Sequence, residues 1–256
     1  MGARLKDKVA IITGAGHGIG RAFSLGLAEE GAKVAAADID APAAQETARL
    51  VREKGGQAVS LAVDVSLESS TLQLAKEAAR YFGGIDILIN NAAIFSTIPI
   101  MGNSGFLTID LEEWDRLMAV NVKGAFLCVR AVFPYMKAQG KGKIINISSG
   151  TAFKGTPNFC HYVSSKAALI GMTRSLAREL GDSNIAINAI APGVTLSDMT
   201  PGKQPFAERE EALRRRCFKR VETPEDLVGT AVFLASGDSD FITGQAIIVD
   251  GGDNMN

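Results

Sequence analysis

The chain has 256 residues, 46% of them hydrophobic and 21% charged, with a formal net charge of −1. That length is ample for one α/β domain with a sizeable core. The near-neutral balance gives no electrostatic case for a nucleic acid or an anionic membrane as partner. The three cysteines and two histidines show neither a C-x-x-C pair nor ligand spacing, which argues against a disulfide framework or a zinc site, and no metal is expected. Residues Met1 to Lys8 are polar and lack the apolar core of a signal peptide. No apolar run reads as a membrane span, so a reducing cytoplasm is the expected setting.

Val9 to Ile12 is a short apolar run, as in a strand buried on both faces. It leads into Thr13-Gly14-Ala15-Gly16-His17-Gly18-Ile19-Gly20, and then into a helical pattern from Arg21 to Glu30 stopped by Gly31. Strand, glycine turn and helix is the arrangement in which backbone N–H groups and a helix N-terminus receive a pyrophosphate, although the same glycines also suit a plain tight turn. The spacing is T-G-x-x-x-G-x-G and not G-x-G-x-x-G, because Ile19 stands where the latter needs its third glycine. A second strand, Lys33 to Ala37, ends at Asp38. A carboxylate there accepts hydrogen bonds from ribose hydroxyls and repels a 2′-phosphate, which favours NAD over NADP; the alternative is that Asp38 caps the next helix, a task Asp40 is also placed to do.

Pro42 to Lys54 reads as a helix, Ala58 to Val63 as a third strand ending at Asp64-Val65, and Leu67 to Phe82 as a helix ended by Gly83-Gly84. Asp64 is placed either to meet an adenine amino group or to start a turn. Asp86 to Ile89 forms a fourth strand and delivers Asn90-Asn91-Ala92-Ala93. A loop from 94 to 108 follows, long for its position. It is either substrate-facing or a surface excursion. Leu111 to Ala138 is a long helical region with Asn121 inside it, and an asparagine disfavours helix interiors unless it has a hydrogen-bonding duty, such as holding an ordered water. Ile144 to Ile147 is a fifth strand before Ser148-Ser149-Gly150. Asn184 to Ile190 is a sixth strand, ended by Ala191-Pro192-Gly193. The polar stretch from Leu196 to Arg220 suits a flap over a site. Pro224 to Ala235 is a helix, and Ala246 to Val249 is the last strand. Within the flap, Arg214-Arg215-Arg216 reads as a solvated helix face or, alternatively, as a phosphate or carboxylate site.

The pattern predicts a single α/β domain: a doubly wound parallel sheet of about seven strands with helices on both faces. Ligands in such sheets bind beyond the carboxyl ends of the strands, where the strand order reverses, and the glycine turn, Asp38, Asp64 and Asn90-Asn91 all lie at such ends. Between the fifth and sixth strands, a helix from His161 to Leu180 carries Tyr162 and Lys166. Four residues apart, they stack on one helix face. A nearby ammonium lowers a phenol's pKa, and a phenol so tuned exchanges a proton with an alcohol or ketone oxygen.

These residues together resemble the short-chain dehydrogenase/reductase family across essentially the whole chain. The matching motifs are Thr13-Gly14-x-x-x-Gly18-x-Gly20, Asp64-Val65, Asn90-Asn91-Ala92, Asn121, Ser149, Tyr162-x-x-x-Lys166, Pro192-Gly193 and the ending Val249-Asp250-Gly251-Gly252. The resemblance implies a Rossmann-like fold and a homotetramer. It also implies Tyr162 as general acid/base, Lys166 as the group that lowers its pKa and holds the nicotinamide ribose, Ser149 on the substrate oxygen, and Asn121 holding a water linked to Lys166. The serine is placed by its thirteen-residue spacing to Tyr162, which selects Ser149 over Ser148. An NAD site is implied at Gly14, His17, Gly18, Ile19, Gly20, Asp38, Ile39, Asp64, Val65, Asn91, Ala92, Ala93, Tyr162, Lys166, Pro192, Gly193, Thr195 and Ser197. Ala93 stands where the family has glycine, Thr195 and Ser197 stand where it has an aliphatic residue and a threonine, and the loop at 94–108 is longer than the family's.

Phe95, Phe153, Phe159, Met199, Phe206 and Phe218 fall in segments expected to border the pocket, so the expected substrate is a small, partly apolar secondary alcohol or ketone, aromatic or alicyclic. Two other functions stay open: a biosynthetic reductase of a carrier-bound or polyol substrate, and a nucleotide-sensing protein without turnover. His161 is expected to be structural or interfacial.

Overall fold

The computed structural model describes residues 3–95, 105–198 and 206–255. Seven strands, β1 (Val9–Thr13), β2 (Lys33–Asp38), β3 (Gln57–Ala62), β4 (Ile87–Asn90), β5 (Gly142–Ile147), β6 (Ile185–Pro192) and β7 (Ala246–Val249), form one parallel sheet in the order β3-β2-β1-β4-β5-β6-β7. The apolar runs that announce β1, β4 and β6 are buried along their whole length, as strands covered on both faces must be. Crossovers place helices α1 (Gly18–Glu29), α2 (Ala41–Glu53), α3 (Glu68–Phe82), α4 (Leu111–Met118), α5 (Ala125–Gln139), α6 (Thr151–Lys154), α7 (Cys160–Leu180), α8 (Phe206–Arg215) and α9 (Glu225–Ala235) around it. Two apolar layers result. Phe23, Leu27 and Leu227 pack on one face of the sheet; Leu74, Val132, Met136 and Leu180 pack on the other.

Local chemistry sets the element ends. Asp40 accepts from Ala43 N (3.1 Å) and caps α2, with Pro42 in its first turn. Gly83 and Gly140 end α3 and α5 in the left-handed conformation that glycine adopts without strain. Helix α1 begins after His17 with no side chain of its own turn as cap, and Gly18 and Ile19 in its first turn line the ligand edge.

The long helical region expected over 111–138 is divided. Between α4 and α5, Ala119–Gly124 is a π-helical turn, and Asn121 sits inside it. A π turn inserts one residue into the ladder and marks a place where a side chain is re-aimed. Over Leu111–Gln139 the region is also long and apolar enough to cross a membrane by length and hydropathy (1.4), contrary to the expectation of no such run. Half of that window is buried, against α3, β4 and β5, as in the covering helix of a parallel sheet. The short α6 was not anticipated, because four residues carry no periodic signal. Most of the 94–108 loop and residues 199–205 of the flap lie outside the described residues.

Candidate active site

The strand order reverses between β1 and β4, and the carboxyl ends of both open on one cleft. That cleft holds about 680 Å³ and is lined by Gly14, His17, Gly18, Ile19, Asp38, Ile39, Asp64, Val65, Asn91, Ala92, Ala93 and Ser197, together with Asp40, Val63, Ser66, Ile94, Phe95, Arg116 and Val120. Twelve of the residues expected to bind a dinucleotide therefore share one cavity.

Its floor is built for close backbone approach. A Cβ at Gly14 would stand 2.8 Å from Ala92 Cα, and one at Gly20 only 2.0 Å from Gly14 O, so both positions require glycine. Asn91 Nδ2 donates to Thr13 O (3.1 Å) and Gly14 O (2.9 Å), tying the end of β4 to the glycine turn. Asp38 Oδ2 accepts from Gly16 N (2.8 Å) and Oδ1 from Asp40 N (3.0 Å). Since Asp40 caps α2, Asp38 is not the cap, and its carboxylate keeps lone pairs at the cleft wall. Ile39 stands at the lip, 74% exposed. Asp64 Oδ1 accepts from Ser66 N (2.9 Å) and Ser66 Oγ (2.6 Å), so it starts the turn into α3; its place on the cleft wall leaves the adenine role compatible with this geometry.

Sequence reading missed one contact at the helix N-terminus. Asp198, beyond β6, accepts from Gly18 N (2.8 Å), and its other oxygen lies 3.4 Å from His17 Nδ1 and 3.6 Å from an Arg21 nitrogen. An anion thus already rests on the end of α1, where a helix dipole and free N–H groups favour one. No motif flagged Asp198; its only signal is an acidic residue next to Ser197.

Beyond Phe95, which lines the cleft, lies the Ser149–Tyr162–Lys166 cluster; these three residues, like Gly20, Pro192, Gly193 and Thr195, do not line the cavity itself. Tyr162 is buried and hydrogen-bonded to Ser149, and its ring packs 5.2 Å from that of Phe95. Burial pushes the phenol up to about 12, opposed by the Ser149 hydrogen bond. Lys166 Nζ donates to Ile147 O (2.9 Å) and sits 5.7 Å from the centre of the Tyr162 ring; burial pushes its ammonium down to about 8. The lowering of the phenol by the lysine, expected from spacing, is therefore not produced by these groups alone, because both charged forms are desolvated and the lysine proton is aimed at a backbone carbonyl. Ser148 Oγ donates to Lys166 O (2.7 Å), which leaves Ser149 as the serine facing Tyr162.

The Asn121 amide is engaged by protein groups at both of its ends. Its Oδ1 accepts from Ile94 N (2.7 Å), and its Nδ2 reaches Ile94 O (3.3 Å) and Ser165 Oγ (3.2 Å). It therefore braces the segment after β4 against α7. Pro192 O accepts from Gly150 N (2.7 Å), and Gly193 N donates to Val249 O (3.2 Å), so the turn after β6 lies beside Ser149. The aromatic expectations divide. Phe95 and Phe159 pack with Tyr162 and Leu117, whereas Phe153 lines a separate hollow with Arg174 and Arg178, and Phe218 is exposed beside Gly251. Met199 and the side chain of Phe206 lie outside the described residues. His161 is buried, stacked on Trp114 (6.4 Å between ring centres), with Nε2 3.9 Å from Glu113.

The Arg214–Arg216 run divides, with Arg214 and Arg215 on a solvated face and Arg216 turned into the interior. Arg215 pairs with Glu211 and Asp253, and Arg216 is 2% exposed and paired with Glu222.

The fold and the cluster define a class: an α/β protein with a ligand cleft at a topological switch point and a buried tyrosine beside it. The family model described as Enoyl-(Acyl carrier protein) reductase matches residues 14–254. A short-chain dehydrogenase/reductase of Hericium erinaceus is 39% identical over 252 residues, covering 95% of this chain and 96% of its own. The 3-oxoacyl-(acyl-carrier-protein) reductase FabG of Thermotoga maritima is 37% identical over 249 residues, 97% of this chain and 98% of its own. The solved structure of a 7α-hydroxysteroid dehydrogenase with NADH and 7-oxo glycochenodeoxycholic acid superimposes with a TM-score of 0.91 at 34% identity, covering 99% of this chain and 98% of the other. The chain belongs to the short-chain dehydrogenase/reductase family, and it is an oxidoreductase of a family that uses nicotinamide cofactors.

Proposed function

We propose that the protein is an NAD-dependent oxidoreductase that interconverts a secondary alcohol and a ketone by hydride transfer. The observation that carries this reading is the buried Tyr162 hydroxyl, hydrogen-bonded to Ser149 beside Lys166, with its ring packed on Phe95, which lines the same cleft as the Asp38 carboxylate. The glycine turn and the start of α1 line the cleft, which supports a dinucleotide there; Asp198 accepts from Gly18 N in this structure, and a phosphate would take its place. Asp38 and Asp64 hold the adenosine end, with Ile39 and Val65 on either side. Gly14, His17, Gly18, Ile19 and Gly20 hold the pyrophosphate, and Asn91, Ala92 and Ala93 flank it. Pro192, Gly193, Thr195 and Ser197 border the nicotinamide end, with Lys166 on its ribose. A free carboxylate at Asp38 disfavours a 2′-phosphate, hence NAD.

The nicotinamide, when bound, supplies the hydride acceptor or donor. Tyr162 moves the proton at the substrate oxygen, Ser149 hydrogen-bonds that oxygen, and Lys166 keeps a positive charge near the phenol. Asn121 positions the segment after β4 and holds a water in line with Lys166. Phe95, Phe159 and Leu117 around Tyr162 favour a small, partly apolar substrate, aromatic or alicyclic. The three free cysteines suit a reducing cytoplasm.

The test is a panel of aliphatic, aromatic, alicyclic and polyol secondary alcohols with NAD⁺ and NADP⁺, followed by reduced-nicotinamide absorbance, with Tyr162→Phe and Asp38→Ala alongside. The expected result is turnover with NAD⁺ that vanishes in Tyr162→Phe, and a shift toward NADP⁺ in Asp38→Ala. Turnover unchanged by Tyr162→Phe would remove the mechanism. The Thermotoga relative, named for reducing a carrier-bound 3-oxoacyl group, favours a second reading, reduction of a carrier-bound ketone. Selective turnover of a 3-oxoacyl thioester with NADPH would favour that second reading.

A further inference from the structure

Arg216 and Glu222 are the most deeply buried ion pair among the described residues, with side chains 3% and 5% exposed and Nη2 to Oε2 at 3.2 Å. Burying two charges costs several kcal/mol per ion unless further hydrogen bonds satisfy them. Most of those further bonds go to one place; Arg216 Nη1 donates instead to Arg220 O (3.4 Å), and Arg216 Nε has no partner among the described residues. Glu222 Oε1 accepts from Gly193 N (3.1 Å) and Thr195 Oγ1 (2.8 Å), and Arg216 Nη2 donates to Val194 O (2.7 Å). The backbones of Thr195 and Glu222 form a parallel bridge, and Leu196 N donates to Glu222 O (2.8 Å). A side chain at Gly193 would stand 2.7 Å from Glu222 Oε2 and 2.9 Å from Arg216 Nη2, so the pair encloses this turn.

The segment thus gripped runs from beside Ser149 to the cleft, which Ser197 lines. It starts at Pro192, fixed to Gly150 beside Ser149, and ends at Ser197 and Asp198, on the N-terminus of α1. Arg216 directly follows helix α8, so the pair also joins the flap to this segment.

Resting on the dinucleotide reading above, we propose that Arg216 and Glu222 are a positioning pair that holds residues 193–198 against the nicotinamide half of the cofactor and links that contact to helix α8. The pair touches neither substrate nor cofactor and acts through Gly193, Val194 and Thr195. Its loss weakens binding of the whole dinucleotide and spares a fragment that ends at the second ribose, because Asp38 and the glycine turn hold that fragment independently.

The test compares NAD⁺ and ADP-ribose binding by calorimetry, using wild-type protein, the double variant Arg216→Met/Glu222→Met and the single variant Glu222→Gln. The double variant removes both charges without stranding one, an exchange that is often near neutral for stability. Glu222→Gln keeps the shape and an acceptor for Thr195, so it still decides the question if the double variant does not fold. The expected result is an NAD⁺ dissociation constant raised roughly tenfold in the double variant, and less in Glu222→Gln, the size of one coupling between neighbours, with ADP-ribose binding unchanged. The KM for NAD⁺ should rise more than kcat falls. Equal shifts for both ligands, or none for either, overturn the proposal. Wild-type protein that binds neither ligand overturns the cofactor reading, and this proposal with it.

Discussion

Tyr162 is held between opposing effects. Its buried setting pushes the phenol up to about 12, and the Ser149 hydrogen bond pulls it down. An alcohol is oxidised only when the phenol accepts a proton, so the oxidative rate should climb with pH as Tyr162 deprotonates. The reductive rate, which needs the protonated phenol, should fall over the same range. Opposite charge depresses a phenol's pKa, so with saturating oxidised dinucleotide the oxidative limb should level off well below 12. Rate profiles in both directions check this; an oxidative rate flat from about pH 6 to 10 would contradict Tyr162 as the base. In Tyr162→Phe the pH dependence should disappear, with at least about a hundredfold of rate. Lys166 gives a second prediction. Its folded pKa, near 8, lies below the usual 10.5, so the folded chain releases the proton at lower pH than the unfolded chain does. Stability therefore rises as pH climbs through that window and is withheld below it. Lys166→Met should raise the midpoint of thermal unfolding by a few degrees near pH 7, with the gain shrinking toward pH 10, while turnover is lost. A variant less stable than wild type at neutral pH would show that the Ile147 contact outweighs the desolvation of the ammonium.

At the level of elements, the glycines and apolar runs made most boundaries legible. A strand buried on both faces must be a continuous apolar run, and a helix ending in a left-handed residue needs glycine there. The π turn at Ala119–Gly124 was legible only as an anomaly, an asparagine inside an apolar helix. Its partner, the backbone of Ile94, lies 27 residues away, a tertiary contact that no periodicity encodes. The same holds for Asn146, an asparagine within the apolar run of β5, which accepts from Asn90 Nδ2 (2.9 Å) and donates to Thr173 Oγ1 (2.9 Å). Asn121→Ala leaves the N–H and the carbonyl of Ile94 without their partner. The expected cost is about 1–3 kcal/mol, seen in denaturant unfolding, together with faster hydrogen exchange in the segment after β4. Exchange unchanged there would mean that Asn121 does not brace this segment.

For the whole molecule, the strand order explains why distant residues could be grouped from sequence. With β3-β2-β1-β4 adjacent and parallel, Asp38, Gly14, Asp64 and Asn91 must share an edge, whatever their separation along the chain. The Arg216–Glu222 grip and Asp198 escaped because they come from a long connection with no strand or helix period, where charged residues ordinarily read as solvated. The arrangement of α5 and α7 supports a last prediction. Both cover the same face of the sheet, and they leave outward Phe126, Ala167 and Gly171, with open space around Gly171. Small residues allow close helix contact, and self-complementary faces of this kind pair about two-fold axes. One such face pairs two chains; with the homotetramer that the family resemblance implies, the protein should sediment as four chains of 27.0 kDa. Gly171→Arg meets nothing within its own chain, so it should leave the monomer folded and shift the species to dimers or monomers. A wild-type monomer would reject the tetramer. A variant still tetrameric would move the contact away from this face of α7.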